Sequence, residues 1–215
     1  MLQTSTVERG TFELLKKFMQ DEHLSDFILA GGTNLALQIG HRKSVDLDMF
    51  AHKSFETEHL IDYLHKRYAM QVDVRKERDT IIGSIDGIKV DMIAHIYPLL
   101  HPPLIDESVR MYSLLDIACM KLVAISDNGT RLKDFADIAY LSTRISLLDM
   151  LLAYERKYNR PNYFHAIKGL SYFEDIDFNT SIILCNGKQF EWKKIEQRIR
   201  DMIKFENKIF ETEPI

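Results

Sequence analysis

The sequence predicts an α+β protein followed by a C-terminal helical bundle. In the first half, short apolar or alternating runs, which are typical of strands, lie between helical patterns. The segment "YPLLHPPLID" then holds three of the five prolines and is the best candidate for a linker. Beyond it, apolar residues recur at helical spacing. We therefore predict a core domain over residues 1–103 and a helical domain over residues 104–215.

Length and composition limit the class of protein. The chain has 215 residues, 46% of them hydrophobic and 28% charged, which is enough apolar material for a packed core. No apolar run approaches the roughly 20 residues that span a bilayer, and the first residues lack the layout of a signal peptide. Cys119 and Cys185 are far apart and do not make a disulfide framework. We expect a cytoplasmic protein with no membrane partner.

Helices and strands are mixed through the first half. Ser5-Thr6-Val7-Glu8 has the form of a capping box, which predicts a helix over about residues 6–20. A buried strand is predicted in "DFILAGG", and a two-turn helix in "TNLALQIG", capped by Thr33 and closed by Gly40. The remaining elements of this half are a strand in "SVDLDMF", a helix from Ser54 to about Tyr68, and strands in "AMQVDVRKE", "TIIGSID" and "IKVDMIAH", the last two joined by the hairpin signal Asp86-Gly87.

The second half is predicted to be helical. Two of its helices follow serine–aspartate pairs that are spaced as caps, Ser113 with Asp116 and Ser146 with Asp149. Further helices are predicted in "RLKDFADIAYLS", in "RPNYFHAIKGLSYF" and in "FEWKKIEQRIRDMIKFENKIF". The stretches Arg156–Lys168 and Lys188–Lys204 are basic. They are either solvated helix faces or a surface that faces a polyanion.

Two acidic side chains lie close together on the predicted strand "SVDLDMF". Asp46 and Asp48 are two residues apart, so both point to one face, with Cα atoms roughly 6.6 Å apart. Val45, Leu47 and Met49 are expected to point to the core. Because two like charges held this close repel each other, the pair is favourable only with a cation nearby.

Asp91 is a third carboxylate, in the otherwise apolar strand "IKVDMI". If this strand neighbours the one that carries Asp46 and Asp48, three carboxylates converge. Such a set can bind one or two Mg²⁺ or Mn²⁺ ions for phosphoryl transfer. Each acid alone is equally well explained as a surface residue of a half-solvated sheet. The three together favour a metal site.

A glycine turn precedes the acidic strand. Gly31 and Gly32 stand between a strand and a helix, where glycine allows the backbone to approach a phosphate and the helix N-terminus supplies free N–H groups. Thr33 follows them. Arg42 and Ser44, just before the acids, are candidate phosphate ligands, with a solvated loop as the alternative. We predict a nucleotide-binding site at these five residues.

The stretch "GGTNLALQIGHRKSVDLDMF" closely resembles the signature of the AbiEii/AbiGii-type nucleotidyltransferases, within the DNA polymerase β-like superfamily. That signature consists of a glycine turn, a short helix, a D-x-D strand and an acid on a later strand. The matching residues are Gly32, Thr33, Asp46 and Asp48, with Asp91 as the candidate third acid. The resemblance implies a nucleotidyltransferase fold, which is a small mixed sheet flanked by helices.

The resemblance covers about residues 27–141 and includes "CMKLVAISDNGTRLKDFADIAYL". Lys121 matches the family's lysine, which contacts nucleotide phosphates. Lys133, Asp134 and Asp137 match a second motif, in which the first acid is essential in active relatives. From the residues alone, ion pairing is the alternative. The two acids share a helix face and could pair with Arg131 or Lys133 on their own helix, or with Lys121 on another.

The resemblance implies an enzyme that transfers a nucleoside monophosphate from GTP or another NTP, with Mg²⁺ held by Asp46, Asp48 and Asp91. These acids, with Lys121 and Asp134, are the expected catalytic residues. The resemblance also implies the toxin of a toxin–antitoxin or abortive-infection system, with RNA such as tRNA as acceptor and a cognate antitoxin as partner. Two alternatives stay open. One is transfer to a small molecule, as in aminoglycoside-modifying members of the superfamily, which suits the net charge of −4. The other is a non-catalytic nucleotide-binding module.

Overall fold

The structure is a computed structural model that describes residues 1–74 and 78–215. These residues form two compact units. The first contains Met1–Pro98 and Pro102–Tyr112, and the second contains Leu99–His101 and Ser113–Ile215. The first is mixed α and β and the second is helical, so the predicted fold class is confirmed. The division into separate domains after residue 103 stays a prediction.

The first unit is built on one mixed sheet. Its strands, within the described residues, are β1 (Phe27–Leu29), β2 (Leu47–Ala51), β3 (Gln71–Val74), β4 (Thr80–Ile85), β5 (Ile88–Ala94), β6 (Leu104–Asp106) and β7 (Val109–Met111). Their order in the sheet is β3-β4-β5-β2-β1-β7-β6. The central pair β2–β5 is parallel, whereas β2 runs antiparallel to β1. Two strands that are distant in sequence therefore lie side by side at the centre.

Three helices accompany this sheet, α1 (Arg9–Gln20), α2 (Gly31–Ile39) and α3 (Thr57–Tyr68). Along β2 and β5 the side chains alternate between two faces. One face, with Leu47 and Met49 of β2 and Met92 of β5, joins α1 and α3 in a single apolar core. The other face of the same two strands carries acidic side chains. The unit thus has one face that packs in the core and one face that carries acidic side chains.

The second unit consists of α4 (Leu114–Asp127), α5 (Leu132–Leu141), α6 (Leu147–Tyr158), α7 (Phe164–Ser171) and α8 (Trp192–Lys204). Helix α4 contacts α5, α6 and α7, so it is the centre of the unit. Both predicted caps are confirmed, since Ser113 accepts a hydrogen bond from the Asp116 amide at 3.1 Å and Ser146 from the Asp149 amide at 3.2 Å. No helix in the described ranges is long and apolar enough to cross a membrane.

Two predicted helix starts are wrong. Helix α1 begins at Arg9, and the predicted capping box does not form, because Ser5 and Thr6 lie in a 3₁₀ turn. There the Thr6 hydroxyl donates to the Gln3 carbonyl at 2.7 Å, a local bond that competes with helix capping. Helix α3 begins at Thr57 rather than directly after Ser54. The predicted hairpin at Asp86-Gly87 is confirmed, with both residues at positive φ.

The proline-rich segment is more ordered than a linker. Its last residues form β6, which pairs with β7 as a hairpin that the sequence analysis missed. The prolines before β6 made this segment resemble a linker in the sequence. Proline is nevertheless tolerated at the start of an edge strand, and β6 is at the edge of this sheet. The predicted strand "AMQVDVRKE" is β3 in its first part, and its residues 75–77 lie outside the described residues.

Candidate active site

The carboxylates of the two central strands face the same side of the sheet. Strands β2 and β5 are paired in register, with Asp48 opposite Asp91, so the condition set by the sequence analysis is met. Asp46 is half-buried and lies directly before β2, which begins at Leu47 rather than earlier as predicted. Val45 is exposed, so its predicted place in the core is wrong, because the strand's alternation does not reach that far back.

Lys89 lies among these acids and was missed by the sequence analysis. Its Nζ is 2.8 Å from Asp91 Oδ2. The hydrogen bond that Lys89 donates to Asp91 is the largest cause that raises the pKa of Lys89. Partial burial opposes this shift, and the charges of Asp91, Asp46 and Asp48 add to it. Lys89 and Asp91 are two residues apart on one strand, which puts both on the same face, and this spacing could have revealed the pair.

The carboxylate oxygens at this face are the type of ligand that suits a hard divalent cation. Asp91 Oδ1 is buried and makes no hydrogen bond within the described residues, so it is an acceptor without a donor. Carboxylate oxygens are the ligands that Mg²⁺ prefers. However, no group of three or more His, Cys, Asp or Glu side chains in the described parts of the chain is arranged to hold a metal ion. The third acid, Asp91, forms an ion pair with Lys89 instead.

The glycine pair opens helix α2 rather than preceding it. The helix begins at Gly31, so Thr33 lies in the first turn and is not the cap that was predicted. Gly31 has φ of +62°, and a Cβ added there would lie 1.8 Å from Asp48 Oδ2. A Cβ on Gly32 would lie 2.5 Å from Arg42 Nη2. Only residues without side chains let the N-terminus of α2 approach the acid and the guanidinium this closely.

Thr33, Arg42 and Ser44 are tied into the structure beside α2. Thr33 is buried, its hydroxyl lies 2.9 Å from Ser44 Oγ, and it also hydrogen-bonds the carbonyl of Asp46. Arg42 is buried as well and donates to the carbonyl of Lys43 at 3.0 Å. The alternative of a solvated loop therefore does not apply to Arg42. The site that was predicted to bind nucleotide is brought together in the first unit, around the N-terminus of α2.

In the second unit Lys121 joins α4 to α5. Its Nζ is 2.6 Å from Asp134 Oδ1 and 2.8 Å from Asp137 Oδ2, and all three side chains are buried. Arg131 Nε lies 3.2 Å from Asp134 Oδ2, a pair by distance whose angle is outside hydrogen-bond geometry. The interhelical ion pair that the residues alone suggested is present. The family role of Lys121 as a phosphate contact stays a prediction.

A second buried ion pair in this unit was missed. Lys157 Nζ on α6 lies 2.8 Å from Asp116 Oδ1 on α4, and both side chains are fully buried. Burial by itself would raise the pKa of Asp116, but hydrogen bonds from Lys157, Ser113 and the Leu100 amide outweigh it and lower the pKa. Lys157 lies on the buried stripe of α6, three residues after Tyr154, and a lysine on an apolar stripe is the signal that could have found it.

The basic stretch around α8 is partly compensated within its own unit. Lys194 pairs with Glu191 at 2.6 Å, and Arg200 pairs with Glu196 at 2.7 Å. Arg198 donates to a serine hydroxyl and a backbone carbonyl instead of facing solvent fully. Of the two readings of this stretch, the solvated helix face with internal pairing describes the geometry better.

A parallel strand pair with facing carboxylates, beside a helix opened by glycines, is the arrangement that the nucleotidyltransferase signature describes. The family model described as nucleotidyl transferase AbiEii toxin, type IV toxin–antitoxin system, matches residues 13–214. This chain therefore belongs to the AbiEii family of toxin nucleotidyltransferases. The predicted family and enzyme class are confirmed, and membership implies a nucleotide substrate and an antitoxin partner.

One sequence relative and two solved structures are similar to this chain over most of its length. An uncharacterized protein of Aquifex aeolicus is 35% identical over 173 residues, which cover 76% of this chain and 81% of that one. A candidate nucleotidyltransferase from Helicobacter pylori superposes with a TM-score of 0.56 at 16% identity, over 93% of this chain and 96% of that chain. JHP933 from Helicobacter pylori gives 0.51 at 15% identity, over 94% and 93%. At these identities the two structures show a shared fold alone.

Proposed function

We propose that this enzyme transfers a nucleoside monophosphate from an NTP to RNA, with tRNA as a candidate acceptor, and that it acts as the toxin of its system. The observation that carries the proposal is the register of Asp48 opposite Asp91, directly against the glycine N-terminus of α2. Acids and phosphate-binding backbone within one small region are what nucleotidyl transfer needs. GTP is the donor that the family resemblance favours.

The triphosphate would bind at the N-terminus of α2. Because Gly31 and Gly32 have no side chains, the first turn of the helix lies close to Asp48 and Arg42. The free N–H groups and positive end of the helix would favour an anion there. Arg42, buried next to Gly32, adds a fixed positive charge. Thr33 and Ser44 would then act mainly by positioning the backbone, since the Thr33 hydroxyl hydrogen-bonds Ser44 Oγ and the carbonyl of Asp46, directly before β2.

Asp46, Asp48 and Asp91 are the residues that would hold Mg²⁺ or Mn²⁺. The bound ion would neutralise charge on the phosphates and favour departure of pyrophosphate. In the reaction, the acceptor hydroxyl oxygen bonds to the α-phosphorus, the bond from that phosphorus to the bridging oxygen breaks, and pyrophosphate leaves. We propose that Asp91, whose Oδ1 accepts no hydrogen bond within the described residues, takes the hydroxyl proton.

For the second unit we propose that Asp134 and Asp137 fix the ammonium of Lys121. The family resemblance implies that Lys121 contacts phosphates and that Asp134 is essential. Two carboxylates within 2.8 Å of Nζ give a physical reason for that requirement, because they set the position of the lysine. Asp134 would be a positioning residue that acts through Lys121.

The test is labelling of total RNA by the purified chain with α-³²P-labelled NTP and Mg²⁺. We expect labelled RNA with at least one NTP, and loss of labelling in Asp48→Asn, which keeps the shape of the side chain and removes its charge. Asp62→Asn, at an exposed position of α3, is the matched control and should label normally. If none of the four NTPs labels RNA, the RNA-transferase proposal is wrong.

A small molecule is the second candidate acceptor. The internal pairing of the α8 cations favours it, since that surface offers less free positive charge to RNA than the sequence suggested. The two candidates separate in the same assay, extended to low-molecular-weight products. Label in a small product with none in RNA would select the second candidate, and NTP binding by calorimetry without any product would select a non-catalytic module.

A further inference from the structure

The acidic face of the sheet continues into a cluster of aromatic rings. Past Asp48 on β2 come Phe50 and, after the strand, His52; past Asp91 on β5 the same alternation leads to His95. With Tyr97 and Tyr112 these side chains form what we call the aromatic platform. Its members all belong to the first unit: Phe50, His52, His95, Tyr97 and Tyr112.

The rings of the platform contact one another. The Phe50 and His95 rings are stacked, with centroids 5.6 Å apart and planes 29° apart. Tyr97 lies 5.0 Å from His95 on one side. Tyr112, fully buried, lies 5.3 Å from His52 and meets Phe50 and His95 edge-on at 6.4 Å and 6.3 Å. Each ring therefore packs against at least one other ring of the platform, which restricts its movement.

The platform is open at Tyr97. This side chain is 46% exposed, and Ile96 beside it is 62% exposed, whereas Phe50 and His95 are half-buried. Rigid, partly exposed rings with π-faces are the surface on which nucleobases stack, whatever their sequence. An apolar protein partner would favour aliphatic neighbours, but the platform consists of histidines, tyrosines and a phenylalanine, which suits a flat, polar-edged ring.

The position of the platform selects the acceptor rather than the donor. The phosphate-binding elements, Gly31 and Arg42, lie at the end of the face where β2 begins. In an in-line displacement the attacking oxygen and the leaving pyrophosphate are on opposite sides of the phosphorus. With the pyrophosphate at Gly31 and Arg42, as proposed above, the acceptor approaches from the other direction along β2 and β5. The platform lies in that direction, past Asp48 and Asp91.

We infer that the aromatic platform binds the terminal base of the acceptor RNA strand, which stacks against Tyr97 and His95 and so presents its 3′ hydroxyl to Asp91. This inference rests on the proposed RNA-transferase function. It assigns RNA binding to a surface that contains none of the acidic or phosphate-binding residues. It also supplies a means of holding RNA that does not depend on the paired cations of α8.

The experiment uses the full chain and a short RNA whose 3′-terminal base is 2-aminopurine, which loses fluorescence on stacking. We expect quenching on binding to the wild-type chain. Tyr97→Ala should weaken RNA binding by about tenfold to a hundredfold and restore the fluorescence, Tyr97→Trp should keep the quenching, and NTP affinity by calorimetry should not change. Tyr172→Ala, also at a tyrosine that is 46% exposed but lies in the second unit, should bind RNA as the wild type does.

The possible results distinguish the platform inference from the proposed function. If the wild type labels RNA but Tyr97→Ala binds and quenches as the wild type does, the platform inference is wrong and the proposed function stands. Loss of NTP affinity in Tyr97→Ala, with RNA binding unchanged, assigns the platform to the donor base and also overturns the inference. A wild-type chain that neither labels nor binds RNA overturns both.

Discussion

Replacement of Lys121 by methionine tests whether the buried ion pair of the second unit supports the fold. Methionine keeps an unbranched side chain, one heavy atom shorter than that of lysine, and removes the charge. Asp134 and Asp137 would then remain as carboxylates that are 1% and 0% exposed. Arg131, which lies 3.2 Å from Asp134, has a side chain that is 64% exposed and therefore mostly solvated. The variant thus removes the buried cation that the two buried carboxylates share.

The structure sets the size of the effect. Removal of one partner of a buried pair costs about 3–5 kcal/mol, because the remaining charge stays desolvated. That is a large share of a total stability of about 5–15 kcal/mol. For a chain of this length it corresponds to a fall of roughly 6–20 °C in Tm. Asp137→Asn should cost less, roughly 1–3 kcal/mol, because Lys121 keeps Asp134 and the amide can still accept a hydrogen bond.

Urea titration and thermal unfolding, followed by circular dichroism, measure these differences. Lys193→Met, at an exposed lysine of α8, is the matched control and should stay within about 0.5 kcal/mol of the wild type. Equal stabilities of Lys121→Met and the control would refute the argument from burial. If that stable variant also lost RNA labelling, Lys121 would be assigned to the nucleotide rather than to the fold.

Three further outcomes follow from the same geometry. Gly31→Ala should abolish labelling and lower Tm, since alanine at φ +62° costs about 1–2 kcal/mol and its Cβ meets a carboxylate at 1.8 Å, whereas Gly10→Ala, with nothing within 4 Å, should do neither. The pKa of Asp116 is lowered in the folded state, so its contribution to the free energy of unfolding is present above the unfolded pKa of about 3.9 and is lost as the pH falls further. Below that pH, the free energy of unfolding should therefore fall more steeply with decreasing pH in the wild type than in Asp116→Asn. Burial raises the pKa of Cys119 to about 12, so iodoacetamide at pH 8 should label Cys185 in the native chain and reach Cys119 only on unfolding, as peptide mass spectrometry would record.

Local patterns in the sequence were enough for the parts of the site that depend on a single element. Alternation along "SVDLDMF" and "IKVDMI" placed Asp48 and Asp91 off the core face, because Leu47 and Met92 are the kind of residues that strands bury. Asp86-Gly87 predicted its hairpin for a similar reason: both residues tolerate positive φ. In each case the cause acts within a few residues of the chain.

Contacts between distant segments could not be predicted in this way. The parallel pairing of β2 with β5 depends on the order of the whole sheet. The convergence of the acids could therefore be predicted only on the condition that these two strands are neighbours. The β6–β7 hairpin was hidden because local proline content outweighed a pairing that only the sheet edge allows. Lys157 was missed because its partner, Asp116, lies 41 residues away.

Exposure, which sequence spacing does not report, distinguishes the lysine–aspartate cluster at Lys89 from the one at Lys121. Lys89, 52% exposed, holds Asp91 at 2.8 Å in the first unit, and an ion pair this accessible to water is worth about 0–1 kcal/mol. Its ammonium can leave at little cost when a divalent cation competes for the acid. Lys121, 6% exposed, holds two carboxylates at similar distances, and removal of its charge costs several times more. At similar distances, the difference in exposure makes Lys89 an exchangeable counterion and Lys121 a fixed one, and only an exchangeable counterion suits the metal site proposed above.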